Sequence, residues 1–225
     1  ARLGVDSIFC TSLGDDSNGK RLKTIYESEN IDTRFVRLVK KEQTGFASIL
    51  VEENGDNRII VYPGAGQSFS EEQIEEAFTT YPDAVYIQFE TPDDIIRAAA
   101  RRCKKDNIPL FIDAGPAKTE FDLSELGHVT VFSPNQNECI EYTGIDPSNT
   151  EKCLAAAIKL GSQIDAEHIV IKLGDKGCFI YDGKFHYMIP AITVPIADTT
   201  AAGDVFTAAL AMSYMDCQNI MTAVK

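Results

Sequence analysis

The sequence predicts an α/β protein built on a mostly parallel sheet, and two patterns along the chain support this prediction. Short apolar runs, typical of strands that are covered on both faces, alternate with longer amphipathic segments. Helix starts fall between the runs: Ser70-Glu-Glu-Gln73 is a capping box, Thr91-Pro92 places a proline at a helix start, and Thr150 opens a further helix. Strand–helix–strand alternation indicates parallel strands joined by right-handed crossovers.

The buried strands and their intervening helices can be placed on the chain. The predicted strands are Ser7–Thr11, Ala84–Glu90, Leu110–Asp113, Val129–Phe132 and His168–Leu173. The helix that starts at Thr91-Pro92 is expected to end near Asp106, and the helix from Thr150 near Ile164.

One segment interrupts this alternation. Thr44–Val51 and Arg58–Tyr62 flank Asn54-Gly55, a strong turn signal for a β-hairpin. Two antiparallel strands do not fit a parallel sheet, so the hairpin is either a lid or an ordinary edge hairpin. The pattern alone leaves both interpretations open.

Charge and cysteine usage narrow the class of protein. The 225 residues include 34 acidic and 21 basic residues, a net charge of −13, which disfavours binding to nucleic acids or anionic membranes. No apolar run approaches the ~18 residues of a membrane-spanning helix. The six cysteines show no C-x-x-C spacing, which indicates free thiols in a reducing compartment and predicts a cytoplasmic protein.

Polar residues at the carboxyl ends of the predicted strands are the first site candidates, because open parallel sheets bind ligands at that edge. These residues are Glu90, Asp113, Asn135 and Gly174. Each of them alone is more often structural. For Asp113 we expect a structural role, in which it ends its strand and caps the segment that follows. For the four together, both a binding site and a purely structural role stay open.

The segment Gly14-Asp-Asp-Ser-Asn-Gly-Lys20 matches a phosphate-binding loop only superficially. That loop requires Ser or Thr after the lysine, and Arg21 stands there instead. Asp15 and Asp16 would also direct two negative charges at a polyanion. We therefore expect a helix whose start is capped by an acidic residue.

The most informative stretch is Asp198-Thr-Thr-Ala-Ala-Gly-Asp204, which leads into an apolar helix. Its small residues allow another molecule to approach the backbone, and the free N–H groups of a first helical turn bind anions. Asp204 could be a simple helix cap. Alternatively, a carboxylate beside an anion site suits a base that accepts a hydroxyl proton while a phosphate arrives.

This stretch closely resembles the second signature of the ribokinase-like (phosphofructokinase-B) family of sugar kinases. Its double alanine, where many members have Gly-Ala, is similar to the ribokinase branch of the family. Other segments agree in order along the whole chain: Leu13-Gly-Asp-Asp-Ser-Asn-Gly19, Glu90-Thr-Pro92, Gly115-Pro-Ala117, Pro134-Asn-Gln-Asn-Glu138 and Leu173-Gly-Asp-Lys-Gly177.

The resemblance implies a three-layer, doubly wound α/β fold with a small β lid, and ATP-dependent phosphorylation of a sugar hydroxymethyl group. By position, Asp204 would be the general base and contact the sugar, which Glu90 would also bind. The anion hole would be formed by the N–H groups of Ala201, Ala202, Gly203 and Asp204. The implied ATP-binding residues are Asn135, Lys172, Leu173, Gly174, Asp175, Lys176, Gly177 and Gly203. Glu138 would hold Mg²⁺ through water, and Asp198 and Thr200 would contribute to a K⁺ site.

The resemblance also implies a substrate. Glu90 before Thr-Pro favours D-ribose, with D-ribose 5-phosphate as the product. The alternatives are a fructokinase, deoxyribokinase, ketodeoxygluconate kinase or adenosine kinase of the same family, or a catalytically inactive sugar-binding paralogue. Lys172 stands where ribokinases commonly have Thr, and it either alters the nucleotide contacts or adds a phosphate partner.

The family pattern extends beyond this sequence at both ends. Family members carry a Gly-Gly-Lys-Gly-x-Asn sugar-binding segment and the first lid strands upstream of Ala1, and an adenine-pocket segment downstream of Lys225. We therefore expect residues 1–225 to form a ribokinase-like α/β domain that is incomplete at both ends, with 44–62 as part of the lid. That hairpin could also pair across a homodimer.

Overall fold

Two compact units make up the part of the chain that the computed structural model describes, which comprises residues 1–51, 57–195 and 201–225. The N-terminal unit is Ala1–Tyr81 and the C-terminal unit is Pro82–Lys225. Each unit has its own strands and helices. None of the helices within these described ranges is long and apolar enough to cross a lipid bilayer.

The N-terminal unit contains a parallel strand pair and a separate antiparallel pair. Its elements are β1 (Ile8–Gly14), α1 (Ser17–Ser28), β2 (Asp32–Val39), β3 (Thr44–Val51), β4 (Asn57–Gly64) and α2 (Glu71–Phe78). β1 and β2 are parallel, with α1 as their crossover, and β3 and β4 are antiparallel. The predicted hairpin pairing is thus confirmed, while its turn at Asn54-Gly55 lies outside the described residues.

A single carboxylate fixes the corner between β1 and α1. Asp16 is the N-cap of α1, and its side chain accepts a hydrogen bond from the Gly19 N–H at 2.8 Å. It also accepts from the N–H (2.8 Å) and the hydroxyl (2.7 Å) of Thr44, which ties β3 to this corner. The bonds from Gly19 and then Thr44 favour the ionised form and lower the pKa of Asp16 to about 2. The predicted acidic cap is confirmed.

The C-terminal unit is built on one six-stranded sheet. Its elements are β5 (Val85–Gln88), α3 (Asp93–Asp106), β6 (Leu110–Asp113), β7 (His128–Ser133), α4 (Gln136–Thr143), α5 (Thr150–Gly161), β8 (Asp165–Lys172), β9 (Cys178–Tyr181), β10 (His186–Ile189), α6 (Ala202–Cys217) and α7 (Ile220–Ala223). The strand order is β10-β9-β8-β7-β6-β5. Strands β5 to β8 are parallel, and β9 and β10 form an antiparallel edge. The predicted mostly parallel sheet is therefore confirmed.

Helices cover both faces of this sheet. Neighbouring residues of a strand point to opposite sides, so each strand contributes side chains to both helix–sheet interfaces. On one face Phe111 and Val131 pack with Tyr214 of α6. On the other face Phe132 contacts Tyr142 of α4, with ring centroids 5.9 Å apart. The resulting helix–sheet–helix arrangement is the three-layer fold that was expected.

Several predicted boundaries differ from those of the structure. Pro92 is the N-cap of α3 rather than its first helical residue, so Thr91 lies outside the helix. Helix α5 ends at Gly161 instead of near Ile164, because the Ser162 N–H already closes its last turn. Strands β2, β9 and β10 were not predicted. Arg34 and Arg37 interrupt the apolar residues of β2, and three of the four residues of β10 are exposed.

Candidate active site

A cavity of about 580 Å³ lies at the carboxyl ends of the parallel strands of the C-terminal unit. Its lining includes Glu90, Asp113, Asn135 and Gly174, so the structure brings together the four strand-end residues that the sequence singled out. The remaining lining residues are Gln88, Gly115, Pro116, Gln136, Asn137, Glu138, Lys172, Ala201, Ala202, Gly203 and Asp204. The start of α6 therefore faces the strand ends, as expected for a ligand site in this type of sheet.

The start of α6 is uncapped within the described residues. Ala201 occupies the N-cap position in the left-handed region, with φ of 60° and ψ of 11°, and no side chain caps the helix. The N–H groups of a first helical turn have no partner within the helix. They can therefore serve an anion in the cavity.

Asp204 is the third residue of α6 and not its cap. Its Oδ1 accepts a hydrogen bond of 2.5 Å from Nε2 of Gln88, the last residue of β5. The simple helix-cap interpretation of Asp204 is therefore not what the structure shows. Sequence reasoning missed Gln88, and only its position two residues before Glu90, at the same strand end, could have indicated it.

A buried ion pair lies beside this helix start. The Lys172 ammonium contacts Asp113 Oδ1 at 2.7 Å, and the two side chains are only 12% and 5% exposed. The hydroxyl of Thr207 donates to Asp113 Oδ2 at 3.0 Å. Lys172 thus lines the cavity with its charge already paired, and its predicted contact with ATP stays a prediction. Asp113 was expected to cap the segment after its strand, and instead it binds Lys172 and Thr207.

These carboxylates also act on a neighbouring tyrosine. Burial raises the pKa of Tyr86, and the nearby charges of Asp113 and Asp204 raise it further. A neutral phenol at this strand end adds no charge to the cavity at physiological pH.

The Asn135–Glu138 pair forms a reciprocal capping box at the start of α4. The Asn135 N–H donates to Glu138 Oε2 and its side-chain amide donates to Oε1, both at 2.7 Å, while Asn135 Oδ1 accepts from the Glu138 N–H at 2.9 Å. Burial raises the pKa of Glu138. A Cβ on Gly115 would lie 2.5 Å from Glu138 Oε1, so a larger residue there would displace this carboxylate.

The donor set around Glu138 fits a cation held through water. Among residues 1–51, 57–195 and 201–225, no group of three or more His, Cys, Asp or Glu side chains is placed to hold a metal directly. Both oxygens of Glu138 already accept a hydrogen bond from Asn135, and each keeps acceptor capacity for a water molecule.

The remaining predicted residues do not reach the cavity or lie outside the described part of the chain. Leu173 is buried, and Gly177 packs against the backbone of Ile189 to Ala191. Asp175 and Lys176 are also not part of the lining. A nucleotide role for these four residues stays a prediction. Asp198 and Thr200 lie outside the described residues.

Comparison with known proteins supplies independent information about the family of this chain. The model of the pfkB family of carbohydrate kinases matches residues 1–225. Ribokinase from Haemophilus influenzae is 30% identical over 227 residues, an alignment that covers all of this chain and 74% of that protein. Ribokinase from Arabidopsis thaliana is 30% identical, with 96% of this chain and 59% of that protein covered. Deoxyribokinase from Salmonella typhi is 28% identical, with 100% and 74% covered.

A solved structure supports the same relationship. Arabidopsis thaliana ribokinase, complexed with ribose and ATP, superposes with a TM-score of 0.84 at 27% identity, covering 97% of this chain and 72% of that one. The order of strands and helices thus has a counterpart in a solved ribokinase structure. The family model, the identity to the Haemophilus protein and this superposition agree, and the chain belongs to the pfkB family of carbohydrate kinases.

Proposed function

We propose that this chain carries the active site of an ATP-dependent sugar kinase, and that its substrate is D-ribose, converted to D-ribose 5-phosphate. The observation that carries the proposal is the uncapped start of α6 with Asp204 beside it in the strand-end cavity. The family membership supports kinase activity. Ribose is supported by the printed names of the Haemophilus and Arabidopsis relatives and by Glu90 at the cavity.

The reaction follows from the placement of these groups. Asp204 accepts the proton of the sugar hydroxymethyl group while that oxygen forms a bond to the γ-phosphorus of ATP. The bond between the γ-phosphorus and the β–γ bridging oxygen breaks, and ADP leaves with the electron pair. The N–H groups of Ala201, Ala202, Gly203 and Asp204 stabilise the negative charge on the transferred group.

The ATP-binding residues of the proposal are those named from the family pattern. Asn135, Lys172, Gly174 and Gly203 line the cavity, where the Lys172 ammonium offsets part of the charge of its carboxylates. Glu138 would hold Mg²⁺ through water, and Mg²⁺ when bound would neutralise phosphate charge. Asp198 and Thr200 would hold K⁺ near the anion hole. If so, potassium should raise activity relative to a large organic cation at equal ionic strength. Equal rates with the two cations would exclude the proposed K⁺ site.

The test is Asp204→Asn in the native protein. Asparagine keeps the size of the side chain but cannot accept the hydroxyl proton, so kcat should fall about 10²–10⁴-fold while ADP affinity and thermal melting hold. Asp216→Asn, in the last turn of the same helix, is the matched control and should keep the native rate. Near-native turnover of a folded Asp204→Asn protein would contradict the mechanism.

A sugar panel tests the substrate. ADP release should be fastest with ribose among ribose, deoxyribose, fructose, ketodeoxygluconate and adenosine. A preference for another member of the panel would change the proposed substrate but leave the proposed kinase activity standing. Sugar binding without any ADP release would instead identify a catalytically inactive sugar-binding paralogue.

We also propose that the β3–β4 sheet pairs with a second copy of the chain as part of a lid, in a cytoplasmic homodimer. Support comes from its exposed apolar side chains on both faces, among them Phe46 and Tyr62 with rings 5.4 Å apart, and Ile60 and Val61. All six cysteines are free, which suits a reducing compartment. Ile60→Lys should shift sedimentation from dimer to monomer, and an unchanged sedimentation coefficient would exclude this interface.

A further inference from the structure

The hydrogen bond between Gln88 and Asp204 connects the end of β5 to the start of α6 across 116 residues of sequence. An ionised carboxylate only accepts hydrogen bonds, so the Gln88 amide must present its NH₂ group to Asp204. The bond engages Oδ1, and Oδ2 is the oxygen left to accept a proton from a substrate. Gln88 is half-buried and lines the cavity, so it acts at the site and not through a distant element.

Ala201, at the N-cap position, has no side-chain acceptor for the free N–H groups of α6, and the bond to Gln88 holds the Asp204 carboxylate away from them. An acidic side chain in a first helical turn is normally attracted to the free N–H groups and to the positive end of the helix dipole. Asp204 is in that turn, yet no side chain of the described residues caps α6. Its carboxylate is drawn to Gln88 instead, and the N–H groups stay available to a ligand.

We propose that Gln88 is a positioning residue, which turns the Asp204 carboxylate toward the substrate and prevents it from filling the anion hole itself. This proposal deepens the proposed function and rests on it, since it assigns Gln88 to the orientation of the general base. The role differs from ordinary stabilisation in a measurable way. Without Gln88 the carboxylate can turn back onto the helix start, which would stabilise the fold while it slows the reaction.

The first test is Gln88→Met in the native protein, which keeps the length of the side chain and removes the donor. We expect kcat to fall about 10- to 100-fold, the range set by one hydrogen bond to a charged group, with the KM for the sugar within about twofold of native. The melting temperature should be unchanged or higher. Gln163→Met removes an amide outside the cavity lining and should leave kcat and both KM values native. A kcat of Gln88→Met within twofold of native would overturn the proposal, as would a lower melting temperature.

The second test is Gln88→Glu, which is nearly isosteric and keeps the proposal testable if the methionine variant fails to fold. Two adjacent carboxylates repel each other when both are ionised, and they share a proton as the pH falls. A protonated Glu at position 88 can then donate to Asp204 as the amide did. The ratio of its kcat to native kcat should therefore rise as the pH falls from 8 to 6. The other titratable groups that line the cavity with Asp204 are Glu90, Asp113, Glu138 and Lys172, and Tyr86 lies near its charge. All five are present in both proteins, so the native pH profile is the reference for their effect. A flat ratio would overturn the proposal.

Failure of the proposed function would be recognised separately. If the native protein phosphorylates no sugar, the kinase assignment fails, whereas the melting comparison of Gln88→Met with native protein still applies. A purely structural Gln88 predicts a clear loss of melting temperature, and a positioning Gln88 predicts none.

Discussion

The buried pair between Lys172 and Asp113 gives the sharpest stability prediction. Replacing Lys172 by Met removes the positive partner and leaves a carboxylate that is 5% exposed. Breaking such a pair from one side typically costs ~3–5 kcal/mol, because the remaining charge is both desolvated and unpaired. Thr207 still donates to Asp113 at 3.0 Å, so we expect the lower end, about 3 kcal/mol. For a chain of this size, that corresponds to a loss of roughly 6–12 °C in melting temperature.

The assay is urea unfolding of the native protein and of three variants. The double variant Lys172→Met, Asp113→Asn has no unpaired charge and keeps the Thr207 contact, so it should recover at least half of the lost free energy. The control is Lys118→Met in the same unit, which breaks a partly exposed pair with Asp93 and a hydrogen bond to the Thr91 carbonyl oxygen. It leaves no buried unpaired charge and should cost clearly less than Lys172→Met. Because Lys172 lines the cavity, Lys172→Met should lower the affinity for ADP, and the double variant should not recover it. A Lys172→Met protein as stable as native, or a double variant no better than the single, would refute this reasoning.

Three further predictions follow from other residues. Glu90→Gln should weaken ribose binding more than ADP binding in calorimetry, since losing a charged acceptor costs ~1.5–3 kcal/mol; unchanged ribose affinity would remove Glu90 from the sugar site. Hydrogen bonding to Glu167, and then to Asp165, raises the pKa of His128 in the folded protein. The contribution of His128 to the free energy of unfolding is therefore complete below its unfolded-state pKa, near 6.5, and is lost as the pH rises through its folded-state pKa. His128→Gln should therefore lower the urea midpoint at pH 6 and not at pH 9, and equal losses at both pH values would contradict this. Ala201→Gly should raise the unfolding free energy by about 0.5–1 kcal/mol, because φ of 60° suits glycine and strains alanine; a loss would show that this conformation is unstrained.

The sequence predicted those parts of the fold that depend on local patterns. Strand β6 was placed to the residue, because Leu110–Asp113 is buried on both faces and reads as one apolar run. The capping residue Asp16 was also recognisable, since a helix cap depends only on neighbours within one turn. Strand β10 was missed because His186, Tyr187 and Met188 are all exposed and show no alternation.

The candidate site was predictable in outline and not in its contacts. Strand ends converge at one edge whatever the side chains do, so Asp113 and Asn135 could be placed together from topology alone. The partners Gln88 and Asp204 are 116 residues apart, and Lys172 and Asp113 are 59 apart. Pairs at such separations depend on strand order and register, which a single sequence does not specify. The sequence therefore indicated nucleotide binding for Lys172 but not its ion pair with Asp113.

The clamp that Asp16 forms on Thr44 has a mechanical consequence for the β3–β4 sheet. The two strands meet backbone to backbone at their base, where a Cβ on Gly45 would lie 2.5 Å from the Pro63 carbonyl oxygen. Two hydrogen bonds from Thr44 to the Asp16 carboxylate hold the base of this sheet at the start of α1. These bonds oppose a rotation of the two strands about their base. Because a pKa of about 2 keeps Asp16 ionised at pH 4, we expect both bonds to Thr44 to persist on acidification to that pH.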